Sequence, residues 1–140
     1  MPAAKAIVPF TIILLLACCS HQQRLSRDDL QSQLTSAASF ASESELFIEY
    51  VQQNRSTRAY AQGHTDDLTT EVKRSAEELR DASVSPELEP SLDLCRTQLE
   101  LLANALSDLH SGFDNPDALA AAKEKVRKIE EALQNAGSSR

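Results

Sequence analysis

The chain has 140 residues and is acidic, with 14 Lys and Arg against 21 Asp and Glu and a formal net charge of −7. The acidic balance, with no block of basic residues, argues against nucleic acid as a partner and against adhesion to anionic lipid through protein charge. Three glycines, no tryptophan and abundant Ala, Leu, Glu and Gln favour helices over strands.

The first seventeen residues have the pattern of a secretory signal peptide. Lys5 gives a basic start, and the uncharged run 6–17 follows it. As a helix this run would span about 18 Å, which is too short for the ~30 Å hydrocarbon core of a bilayer. A basic start, a short apolar run and a small last residue are typical of a signal that is removed. Residues 1–17 are therefore predicted to be cleaved from an exported protein.

The junction Leu15-Leu16-Ala17-Cys18 resembles the lipobox of bacterial lipoproteins, with an aliphatic residue three before the cysteine and a small one directly before it. The resemblance implies cleavage before Cys18, lipidation of its thiol with palmitate and acylation of the new amine. Two or more acyl chains hold a protein durably on a membrane. In this family an Asp after the cysteine directs retention in the inner membrane. Here that residue is Cys19, which implies the outer membrane, facing the periplasm.

After this junction, residues 18–27 are polar and unpatterned, as expected of a lipidated flexible tether. Apolar residues then recur at alternating threes and fours in four stretches separated by cap and turn signals. These stretches predict helices at about 28–54, 57–83, 87–111 and 116–136, with a short tail at 138–140. Four amphipathic helices with short connections predict an all-α fold, an antiparallel up-down four-helix bundle over residues 28–137.

Two other architectures are compatible with parts of the pattern. The first two helices could form one rod through Asn54 and Thr57. A long homo-oligomeric coiled coil is the second alternative, but Ser85-Pro86-Glu87 and Asn115-Pro116-Asp117 are start signals that break a continuous helix. The bundle is therefore the preferred prediction. No family is recognised for the domain that follows the signal peptide.

Two local features of the sequence can each be interpreted in two ways. Cys95 falls on the apolar stripe of the third helix, which favours a buried free thiol, but a disulfide with Cys19 is possible in an oxidising periplasm. In a eukaryotic protein, Asn54-Arg55-Ser56 would be a glycosylation sequon; in a bacterial protein it is a loop.

Sequence motifs for catalysis or cofactor binding are missing. His64 and His110 lack the Glu three residues earlier that a di-iron bundle requires, and the chain has no Cys-x-x-Cys-His for haem. The sole methionine, Met1, leaves with the signal, and the Cys and His spacings do not fit zinc. We therefore expect no metal, no cofactor and no enzymatic activity.

Two groups of residues are candidate sites in the domain. His64, with Asp67 three residues away, could form a ligand or metal site between helices; the more ordinary interpretation is a half-buried histidine bonded to Asp67 or to backbone. In an up-down bundle, the first and third connections meet at the end far from the tether. That end is predicted to carry a partner-binding tip of arginines and aromatics, the residue types that dominate interface hot spots: Arg55, Arg58, Tyr60, His110 and Phe113, with Asp114. The alternative is that Phe113 packs on the core.

These features together predict an outer-membrane, periplasm-facing lipoprotein that acts as a non-enzymatic interaction or structural module with a protein partner. A small-molecule or metal-ion binder with a site near His64 is the alternative. The basic residues Lys123, Lys125, Arg127 and Lys128 of the last helix are interpreted as a solvated face that pairs with acidic neighbours.

Overall fold

Four helices carry most of residues 23–138, the part of the chain that the computed structural model describes. They are α1 (Arg27–Gln52), α2 (Arg58–Arg80), α3 (Glu89–Leu109) and α4 (Pro116–Ser138), with a 3-10 turn at Pro86–Leu88 before α3. The predicted signal peptide, Cys18 and Cys19 lie outside the described residues. Within residues 23–138 no helix is both long enough and apolar enough to cross a bilayer.

Local hydrogen bonds explain where α1 and α4 begin. Ser26 and Asp29 form a reciprocal capping box, in which the Asp29 amide donates to Ser26 Oγ at 3.1 Å and the Ser26 amide donates to Asp29 Oδ2 at 2.9 Å. At α4, the Asn115 side chain accepts from the amides of Asp117 and Ala118 at 3.0 and 3.3 Å. Both starts agree with the cap signals in the sequence.

The first two helices are separate, so the single-rod alternative is wrong. Asn54 adopts a left-handed conformation with φ of 55° just after α1, and the Thr57 hydroxyl accepts from the Tyr60 amide at 3.3 Å to begin α2. An asparagine tolerates that conformation better than most residues do, which ends α1 two residues earlier than predicted. Helix α4, in contrast, ends two residues later than predicted, since it continues through Gly137 to Ser138.

The helices pack as an antiparallel four-helix bundle around one core, as the sequence predicts. α1 packs mainly against α4 and α2 mainly against α3, while α1 and α2 touch one another only sparsely. On α1 the small residues Ala37, Ala41 and Ser44 are fully buried, which lets α1 approach its neighbours closely. The predicted stripes supply most of the core, including Leu92, Leu99, Leu102 and Leu106 of α3, all with no exposed surface.

One end of the bundle, which we name the basal end, gathers the start of the described chain, the α2–α3 connection and the end of α4. The Leu25 amide donates to the Ser83 carbonyl at 2.8 Å, and the Ser83 amide donates to the Gln23 carbonyl at 2.9 Å, as a short parallel pairing. Gln31 of α1 lies beside Gly137 of α4. Residues 23–26, the second connection and the end of α4 therefore share one end of the bundle, as the up-down topology predicts.

This pairing changes the extent of the predicted tether. Residues 18–27 are predicted to be free of the domain, but Leu25 is buried in the same core as Ala82 and Val84 of the connection. Burial of a leucine and two backbone hydrogen bonds hold residues 23–26 on the bundle. A tether is left only as a prediction for residues 18–22, which lie outside the described residues.

Arg96 of α3 closes the C-terminal end of α2. Its Nε donates to the Leu79 carbonyl at 2.8 Å, and its Nη2 donates to the carbonyls of Ala82 at 2.6 Å and Arg80 at 3.3 Å. The last carbonyls of a helix have no partner within the helix and carry a partial negative charge, which a guanidinium satisfies well. Helix α2 therefore ends at Arg80 rather than near residue 83, and the following residues are free to pair with Gln23 and Leu25.

Replacement of Arg96 by alanine should lower the free energy of unfolding by about 2–3 kcal/mol, because charged hydrogen bonds to buried or half-buried carbonyls are lost. The measurement is chemical denaturation followed by circular dichroism. Arg80→Ala is the matched control, since the Arg80 side chain is exposed and its one ion pair among residues 23–138 is with exposed Glu77 at 3.4 Å; its effect should stay below about 1 kcal/mol. Equal effects of the two substitutions would contradict the assigned role of Arg96.

Cys95 is a free thiol with no exposed surface on the core side of α3. Burial raises the pKa of this thiol to about 11, because the thiolate would lose its hydration. Since the thiolate is the reactive species, iodoacetamide at pH 8 should leave Cys95 unmodified in the folded protein and alkylate it in denaturant. Peptide mass spectrometry locates the label. Rapid alkylation of Cys95 in the folded protein, or a Cys19–Cys95 disulfide in the exported protein, would contradict this prediction.

Candidate interaction site

The turns that connect α1 to α2 and α3 to α4 meet at the end of the bundle opposite the basal end, which we name the tip. Arg58 at the start of α2 and Asp114 in the α3–α4 turn form an ion pair at 2.5 Å across it. His110 Nδ1 lies 2.9 Å from Asp66 Oδ1 of α2, close enough for an ion pair although outside hydrogen-bond geometry. Of the predicted tip residues, Arg58 and Asp114 are therefore in direct contact across the two turns, and His110 lies against α2.

Phe113 differs from the other predicted tip residues because it belongs to the core. Its side chain is only 8% exposed and packs edge-on against Phe47 of α1, with ring centroids 6.5 Å apart. The alternative given from the sequence, in which Phe113 packs on the core, is the one the structure has. A phenyl ring in a turn is excluded from solvent whenever the helices leave space for it. Phe113 therefore closes the tip and leaves little of its surface for contact with a partner.

The accessible part of the tip consists of arginine and tyrosine side chains. Arg55 and Arg58 are exposed, and Tyr60 is 58% exposed at the first turn of α2. Arg55 forms no ion pair with another described residue, whereas Arg58 is held by Asp114. A free and a fixed guanidinium beside an exposed phenol can bind carboxylates and apolar groups of a partner.

His64 lies in the sparse seam between α1 and α2, in an environment different from the predicted one. Its ring stacks on Tyr60 with centroids 5.8 Å apart and meets the edge of Phe47 at 4.5 Å. Its Nε2 lies 3.6 Å from Glu43 Oε1 of α1, and it forms no hydrogen bond or ion pair with Asp67. The correction has a simple cause, because Asp67 is exposed on the solvent side of α2 while Glu43 faces His64 across the seam.

Two aromatic rings, those of Phe47 and Tyr60, lie against His64. Four surface clefts of the described residues, each of about 420–490 Å³, are lined by other residues. Within the described part of the chain, no three His, Cys, Asp or Glu side chains come together in a group that could hold a metal ion. His64 therefore connects α2 to α1 through its edge-to-face contact with Phe47 and a weak polar contact with Glu43.

Two exposed apolar side chains near the tip were not singled out from the sequence. Leu46 is 66% exposed and Tyr50 is 41% exposed, one turn apart on the outer face of α1. Both residues lie off the apolar stripe that forms the core face of α1. Bulky apolar residues at such positions are predicted to be exposed, and this pattern could have identified them from the sequence. With Tyr60, they extend the apolar surface of the tip along the side of the bundle.

No family model, no curated protein and no solved structure matches the chain. The function is therefore inferred from the sequence and structure of the chain itself.

The contrast between Phe113 and Tyr60 gives a direct test of this description. Phe113→Ala should lower the free energy of unfolding by about 3 kcal/mol, because it removes a buried ring. Tyr60→Ala should lower it by less than about 1 kcal/mol, because much of that ring is in solvent. Thermal and chemical denaturation measure both. A Tyr60 effect as large as that of Phe113 would show that the tip is packed differently.

Proposed function

We propose that the protein is a lipoprotein of the bacterial outer membrane that faces the periplasm and acts as a non-enzymatic interaction module through its tip. The anchor is Cys18, which the Leu15-Leu16-Ala17-Cys18 junction assigns by its resemblance to a lipobox. The single observation that supports this reading is the position of Leu25, whose burial at the basal end places the entering chain opposite the tip. An anchor just before residue 23 would leave the tip exposed to the periplasm.

The length of chain between anchor and bundle supports an orientation of this kind. Gln23 lies five positions after Cys18, and even a fully extended chain over those five steps reaches only about 17 Å. A bundle whose helices are about 35 Å long, attached through so short a connection, keeps its basal end nearer the membrane. The tip would then lie several tens of ångströms from the lipid surface.

The surface chemistry of the tip supports a protein partner. Tyrosine and arginine are enriched at interface hot spots, and the tip combines Arg55, Arg58 and Tyr60 with exposed Tyr50 and Leu46 on the adjoining side of α1. Free Arg55 and fixed Arg58 favour an acidic or carboxylate-bearing surface on that partner. The alternative function, ligand or metal binding near His64 and Asp67, has less support because no hydrogen bond or ion pair joins the two residues and the rings of Phe47 and Tyr60 lie against His64.

Anchoring and partner binding can be tested together in cells that express the full chain. The wild type should incorporate labelled palmitate and fractionate with outer membranes, and Cys18→Ser should do neither. Crosslinking with mass spectrometry should then identify proteins captured by the wild type and lost on Arg55→Glu/Arg58→Glu. The matched control reverses two exposed basic residues further along α2, Lys73→Glu/Arg74→Glu, and should retain the partners.

The outcomes separate the two parts of the proposal. Palmitate incorporation that survives Cys18→Ser would overturn the anchor. Partners that remain with the tip variant, or that are lost equally with the control variant, would overturn the tip as the binding surface.

A further inference from the structure

The outer face of α3 and α4 carries an exposed leucine beside a cleft. Leu101 of α3 is 48% exposed, although α3 otherwise presents its leucines to the core. Beside it, a cleft of about 420 Å³ runs between the two helices over buried Ala105 and Ile129, with Ala132 at its wall. A protruding side chain next to a mainly apolar depression is half of an interdigitated helix contact.

Opposite charges flank this cleft at the end nearer the α3–α4 turn. Asp108 lies on α3 and Lys125 on α4, both exposed and both lining the cleft. Neither side chain forms an ion pair with another described residue, whereas the neighbouring Lys128 pairs with Glu124 at 3.5 Å. One surface thus carries an exposed leucine, an apolar depression, an acid and a base, and neither charge is paired with another residue of the described part of the chain.

We propose that this surface binds a second copy of the chain, around a twofold axis parallel to the helices. Rotation about such an axis keeps the height of every residue along the bundle and places α3 of one copy opposite α4 of the other. Asp108 of each copy then faces Lys125 of the other, forming two equivalent ion pairs. Leu101 of each copy faces the Ile129 and Ala132 region of the other, where the cleft receives it. A twofold interface has to be self-complementary in this way.

The direction of the axis follows from where the charges lie. A twofold axis perpendicular to the helices would reverse the heights, so that Asp108 and Lys125 of one copy would face the far end of the cleft in the other. The side chains at that end are Gln98 and Ala132, which carry no charge. Only the parallel axis pairs all four charges.

The parallel axis also agrees with the proposed lipid anchor, although the dimer does not depend on it. Because heights are kept, both basal ends lie on the same side of the dimer, and two anchors can enter one leaflet. The face itself measures about 31 Å along α3 and about 20 Å across two helices, or about 600 Å². This is somewhat less than the ~800 Å² per partner of a standard interface, so the contact is expected to be weak and helped by confinement to a membrane.

Charge reversal in two differently tagged copies of the full chain tests the pairing. Lys125→Glu in both copies, or Asp108→Lys in both, creates two like-charge contacts and should reduce co-purification of the second tag about tenfold. A Lys125→Glu copy mixed with an Asp108→Lys copy restores an opposite-charge pair at both positions, so recovery should return to the wild-type level. Lys73→Glu, an exposed reversal on α2, is the control and should have no effect.

Recovery in the mixed pair is specific to this geometry, because no effect on folding could produce it. The proposal is overturned if wild-type copies do not co-purify, if the single reversals co-purify as well as wild type, or if the mixed pair is no better than the single reversals. Repeating the measurement with Cys18→Ser copies in detergent separates the two proposals: co-purification that persists without palmitate supports the dimer whatever the fate of the anchor.

Discussion

The closure of the basal end by Arg96 is the interaction on which the rest of this structure depends. Helix α2 has few contacts with α1, so its position is set mainly by α3. Arg96 extends from α3 to the last carbonyls of α2 and fixes where that helix stops. The connection that follows is then held in an extended form, and its Ser83 can pair with the segment that enters α1.

This closure gives the bundle two chemically different ends. At the basal end the chain enters through backbone pairing and a buried leucine, Leu25, so the entering segment moves with the domain. At the tip, Phe113 fills the core between the turns, and most of the other residues of the turns are exposed. The difference between an end that is tied to the preceding chain and an end that is free supports the proposed division into anchor and contact surface.

The parts of the fold that the sequence predicts well are those encoded by neighbouring residues. The Ser26–Asp29 box, the Asn115 cap and the leucine stripe of α3 depend on spacings of two to four residues, and all are present. The parts that it misses are contacts between distant residues. His64 pairs with Glu43 rather than Asp67, and Arg96 ends α2, because helix rotation and approach decide which polar side chains meet across a seam. The sequence predicts Leu25 to lie in a tether, because a single leucine in a polar stretch shows neither helical nor strand periodicity.

Hydrogen exchange at the amides of Leu25 and Ser83 tests the central claim most directly, because these two groups make the pairing that joins the entering chain to the basal end. If the account is correct, both amides exchange far more slowly than those of a free chain, and Arg96→Ala accelerates both together. Exchange of the Leu25 amide at the rate of an unstructured peptide would contradict it, since the chain would then enter the bundle without a fixed direction.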